Sequence, residues 1–156
     1  MTVPVTTAFM TLFAQLLIAT AIVASTIGVH LAGLAVLLRL LRRHRARAPA
    51  RRELMHDLAA IVGAAFGLFI LHGLEIWSYA AFYLGTGALP KFEEALYFSP
   101  STYATIGYGD IVLPSGWRLI GAIEGINGVI LLGWSTAFFV AVVGRIRLLE
   151  TEAHRP

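Results

Sequence analysis

Thr105, Ile106, Gly107, Tyr108, Gly109 and Asp110 are consecutive in the chain, just before an apolar run. A cation leaving water must exchange its hydration oxygens for protein oxygens. A column of backbone carbonyls supplies them without a fixed charge that would hold the ion too tightly. Aiming successive carbonyls to one side requires alternating backbone handedness, and glycine takes positive φ at the least cost. Gly107 and Gly109 occupy alternate positions. Thr105 adds a hydroxyl at one end of the column, and Asp110 adds negative charge at the other. The carbonyls from Thr105 through Gly109 are therefore candidate ion ligands.

Few other residues could do chemistry. His72 and Glu75 are three apart, on one face of a helix. Two ligands are too few for a metal site, so a hydrogen bond between them is expected. Glu124 lies about seven residues into an apolar run, roughly 10 Å along a helix. Ionisable groups at such depth are expensive and face protein or water. Glu124 is expected either behind the glycine loop, bonded near Ser101 or Thr102, or as a protonated or hydrogen-bonded contact within the bundle. Glu75, His72 and Glu124 include no nucleophile paired with a base, so no enzyme and no cofactor is expected.

The elements that must hold this loop are membrane spans. The 156 residues are 58% hydrophobic and only 13% charged, against about a quarter charged in a soluble domain. Mean hydropathy is +0.76. So few charges cannot coat a soluble core of this size. Cysteine is absent, which excludes disulfides and thiolate metal sites. Three apolar runs, at about 8–38, 58–84 and 117–143, are long enough to cross a bilayer. The first is followed, not preceded, by positive charge, unlike a signal peptide. Residues 92–102 suit a helix of about three turns, too short to span. Irregular backbone at membrane depth must be buried by protein or line a wet cavity, so this helix and the glycine loop read as re-entrant. The chain divides into 1–57 (first span and Arg-rich connection), 58–148 (second span, short helix, glycine loop and third span) and 149–156 (tail).

Arg39, Arg42, Arg43, Arg45, Arg47, Arg51 and Arg52 are seven of the twelve basic residues. They place the first connection in the cytoplasm, with the N-terminus outside and the C-terminus inside. Anionic lipid headgroups are their expected partners. Nucleic acid is not expected, and no partner protein is identifiable. A voltage sensor would carry its arginines inside a span.

The run Thr-Ile-Gly-Tyr-Gly-Asp, preceded by Ala-Leu-Tyr-Phe-Ser-Pro-Ser-Thr-Tyr-Ala, resembles the pore-loop signature of potassium channels. The similarity covers about residues 89–144. It implies an all-α membrane protein with three transmembrane helices, a re-entrant pore helix and a filter loop, assembled as a homotetramer. Potassium ions would bind at Thr105, Ile106, Gly107 and Tyr108, as permeant ligands. In the family, aromatic donors on the pore helix support the filter. Here the matching positions are Tyr97, which can reach Asp110, and Phe98, which has no polar atom. Thr102 is then the expected support for Tyr108. Ser101 stands where some channels carry a buried carboxylate, and Pro100 interrupts the pore helix.

On the third span Gly128, Leu131, Ser135, Phe139 and Val143 follow helical spacing and are expected to line a cavity, with Phe139 and Val143 near its inner end. Gly125, Gly128 and Gly133 offer bend points, and Gly28 and Gly33 offer close contact on the first span. The expected function is passive, potassium-selective conduction in a plasma membrane, with the short chain suggesting a bacterial inner membrane. A weakly selective monovalent cation channel is the alternative. A potassium-uptake transporter subunit would need four such loops, and only one is present.

Overall fold

A computed structural model describes residues 11–46 and 54–153 of the chain. Four α-helices follow in order: α1 (Leu12–Ala46), α2 (Leu54–Gly85), α3 (Phe92–Tyr103) and α4 (Arg118–Ala153). A short 3₁₀ turn, Ser115–Trp117, leads into α4. No strand occurs among the described residues, and the protein is all-α. Leu12–Ala46, Met55–Gly85 and Ser115–Arg145 are each long and apolar enough to cross a membrane. The chain is thus a multi-pass membrane protein. At 12 residues α3 is roughly 18 Å long, well short of the hydrocarbon core of about 30 Å.

The long helices overrun the apolar runs that predict them. α1 continues eight residues past Leu38, taking Arg39, Arg42, Arg43 and Arg45 onto its last turns. Basic side chains there complement the unpaired carbonyls of a helix C-terminus. α4 likewise runs on to Ala153, into the predicted tail. Met1, Arg47, Arg51 and Arg52 lie outside the described residues.

Two compact units are present, and α1, α2 and α4 each contribute to both. One comprises residues 1–25 and 76–128. Its core gathers Tyr79, Tyr83, Leu89, Phe98, Tyr103 and Ile120, all buried. The Tyr83 ring meets Phe98 edge-on at 5.4 Å, a favoured aromatic geometry. The other unit comprises residues 26–75 and 129–156. There Gly33 and Gly67 admit the side chains of Leu71 and Leu37, each leucine lying where a Cβ would otherwise stand. Gly28 has open space beside it instead. Phe66, Phe69 and Ile70 on α2 are exposed by more than half, as helix faces turned to lipid should be.

Candidate ion-conduction site

The connection from α3 to α4 holds the glycine loop. Thr105, Gly107 and Gly109 have φ of 58°, 59° and 80°. Ile106 and Tyr108 are not among the positive-φ residues, so backbone handedness alternates along the loop. Nothing lies within 4 Å of a Cβ built on Gly107 or Gly109. Glycine is required there by conformation, not by space. Thr105 was not foreseen in this region. A β-branched residue at positive φ is an outlier, and such strain clusters at functional sites.

The loop's donors turn back onto α3. Thr105 N–H donates to the Thr102 carbonyl at 2.9 Å, and Ile106 and Gly107 both donate to the Ser101 carbonyl, at 2.8 and 3.1 Å. Among the described residues, no carbonyl from Thr105 through Gly109 accepts a backbone hydrogen bond. The segment therefore presents a run of acceptors, with the donors of Thr105, Ile106 and Gly107 already occupied. That is the arrangement a desolvated cation needs. Ser101 and Thr102 contribute here through their carbonyls, so the expected hydroxyl support from Thr102 to Tyr108 is not what holds the loop.

Tyr97 donates its hydroxyl to Asp110 at 3.0 Å, and its ring stacks with Tyr108 at 6.5 Å between centroids. The bond to Asp110 raises the Tyr97 pKa above the ordinary phenol value. Pro100 sits inside α3 without ending it. Phe98 is buried, and its ring packs beside Gly121, where a Cβ would approach it to 3.4 Å.

Glu124 is fully buried, but its partners are not the expected ones. It is bonded by the Tyr83 hydroxyl at 2.7 Å and by Ser99 at 2.5 Å. The correction is geometric. Ser99 and Ser101 are two residues apart, about 200° around a helix, so only one of them can face α4. Ser99 also lies 2.9 Å from the Ile76 carbonyl. One hydroxyl hydrogen cannot fully serve two acceptors. The count closes when Glu124 carries a proton and donates to Ser99, while Ser99 donates to Ile76. Asn127 extends this polar group by donating to the Tyr79 hydroxyl at 3.2 Å. Tyr79 and Tyr83 are four apart, on one face of an apolar helix, and their hydroxyls needed buried partners. That was the available signal.

The glycines of α4 act differently from expectation. A Cβ on Gly128 would run into the Tyr103 carbonyl oxygen, and one on Gly125 would stand 3.3 Å from that of Thr102. With Gly121 they form a smooth face that admits the C-terminus of α3. Gly125 and Gly128 are sites of close approach, not bends, and α4 is continuous through them. The stripe predicted to line a cavity is also corrected. Gly128 is covered by α3, Leu131 is fully buried, and Ser135 is bonded to His72 Nε2 at 2.9 Å. Phe139 and Val143 remain half-buried. The exposed face of α4 instead carries Ile126, Val129 and Val140.

Residues 61–145 match the model of a family described as ion channels. This is more than half of the 156 residues, and it includes α3, the glycine loop and most of α2 and α4. The chain belongs to the ion-channel family. No curated protein and no solved structure matches it. The matched segment of this channel begins after α1, so the first span is an addition to the family's unit. The channel's glycine loop lies within the match.

Proposed function

We propose that the protein is a potassium-selective channel, conducting passively through the carbonyls of residues 105–109 at the axis of a homotetramer. The observation that carries this reading is the alternation of positive φ at Thr105, Gly107 and Gly109, with every carbonyl between them left without a backbone donor. One such strand cannot surround an ion. Four around a closed axis can. Ile106 and Tyr108 are exposed by 55% and 70% in the single chain. Apolar exposure of this kind in a polar loop calls for a cover, and neighbouring copies supply it. The Thr105 hydroxyl then forms the innermost site, and Asp110, oriented by Tyr97, gives the outer mouth its negative charge. Ile126, Val129 and Val140 face the axis or an adjacent copy, while Phe139 and Val143 narrow the inner end.

Orientation follows the arginines, with the N-terminus outside and the inner ends of α1 and α4 in the cytoplasm. Arg42, Arg45 and Arg145 line one cavity of about 510 Å³ with Leu38, Leu41 and Phe138. Cationic rim and apolar wall together suit the phosphate and upper acyl chain of an anionic lipid. A bacterial inner membrane is the proposed location.

One observation favours weaker selectivity: Phe98 has no polar atom, so Tyr108 is held by stacking on Tyr97 without a hydrogen bond from that position. The proposal is tested by purified protein in liposomes loaded with potassium. A potassium flux blocked by barium, with block weakened in Thr105→Ala, is expected. Liposomes that pass no potassium, or whose flux ignores barium in both proteins, would contradict it.

A further inference from the structure

His72 and Glu75 alone are too few to hold a metal, but the fold adds a third ligand. His30, forty-five residues before Glu75 and on α1, places Nδ1 at 2.8 Å from Glu75 Oε1. His72 Nδ1 lies 3.1 Å from the other carboxylate oxygen. One donor atom from each of the three lies within 4.8 Å of the others. His30 and Glu75 are fully buried, and His72 is 13% exposed. Ser135 Oγ lies 2.9 Å from His72 Nε2 and so holds the far side of that ring, turning Nδ1 toward Glu75.

His30 Nε2 is buried with no hydrogen-bond partner. A buried carboxylate in an apolar span needs a compensating positive charge. A dication cancels the charge through the ligands' own lone pairs. Two imidazoles and a carboxylate, with an oxygen in fourth place, form a donor set that zinc takes readily. Tetrahedral bonds of about 2.0–2.2 Å set ligand atoms about 3.3 Å apart, so modest side-chain adjustment from the present spacing suffices.

We infer that His30, His72 and Glu75 form a zinc-class binding site inside the membrane part of the protein, completed by water. The ion ties α1, which lies outside the segment matched to the ion-channel family, to α2. It is distinct from the permeant ion and does not depend on which cation the glycine loop selects. His72, the least buried of the three, marks the side from which the ion enters.

The test uses untagged, full-length protein stripped with chelator in detergent and titrated with zinc, with magnesium as control. One zinc per chain is expected, together with a raised melting temperature that magnesium does not reproduce. Glu75→Gln and His72→Ala should each weaken zinc binding at least about tenfold. His72→Ala, at the least buried ligand, covers the case in which other variants fail to fold. Cobalt in place of zinc should give the intense visible bands of a tetrahedral site. His44 and His56 stack on each other at 3.8 Å and form the control pair: His44→Ala with His56→Ala should leave zinc binding unchanged. Substoichiometric zinc, zinc that follows His44 and His56, or zinc retained in full by His72→Ala would each overturn the site and leave a hydrogen-bonded cluster.

Discussion

At the scale of single residues, the carboxyl of Glu124 gives the sharpest expectation. It bonds Ser99 and Tyr83, and the hydrogen count places its proton toward Ser99. Glutamine reproduces that pattern, with an amide N–H toward Ser99 and an oxygen toward Tyr83. Glu124→Gln should therefore cost less than about 1 kcal/mol, whereas Glu124→Ala orphans buried hydroxyls and should cost at least about 2 kcal/mol. Thermal unfolding in detergent compares them, and equal losses would refute the assignment. Tyr97 gives a pH expectation. Its pKa is raised because the neutral phenol donates to Asp110. A raised phenol contributes below its unfolded value of about 10 and is lost only as pH climbs through the higher folded value. Current stability in low external potassium should thus be flat between about pH 7 and 9, well below that range, and Tyr97→Phe should lower it throughout. The link between Tyr97 and Asp110 was legible because both belong to one short motif. The Glu124 partners were not, because choosing Ser99 over Ser101 depends on the rotation of α3, which its twelve residues leave open to tertiary packing.

At the scale of elements, the contact between α3 and α4 depends on the absence of a side chain. The Tyr103 carbonyl occupies the space beside Gly128, and backbone cannot move as a leucine tip can. Gly128→Ala should therefore abolish folding or lower the melting temperature severely. Gly33→Ala meets only Leu71 side-chain atoms, which can change rotamer at a cost of about 1–3 kcal/mol. If the two variants melted alike, the close approach of α3 would not be what fixes the loop. The existence of all four helices was readable from apolar run length, and the short α3 from its flanking glycines and prolines. The ends of α1 and α4 were not, because charged residues continue a helix in water as readily as apolar ones do in lipid. Which face of α4 turns inward was likewise hidden. Leu131 and Ile126 are equally apolar in sequence, yet the first is fully buried and the second 63% exposed.

At the scale of the whole molecule, the ion-channel family accounts for α2, α3 and α4, and the proposed fourfold assembly accounts for the exposed loop. The mass of the solubilised protein should be about 68 kDa, four times the 16.9 kDa chain. A conducting monomer or dimer would contradict that assembly. The central claim is that backbone carbonyls held by positive φ select potassium. It is tested most directly by the reversal potential of reconstituted protein with potassium on one side of a bilayer and sodium on the other. A Cβ at Gly107, where φ is 59° and nothing else crowds the site, costs about 1–2 kcal/mol in conformation alone. The parent should reverse near the potassium equilibrium potential. Gly107→Ala should either carry no current or reverse near zero, and a Gly107→Ala channel that keeps the parent's reversal potential would contradict the account.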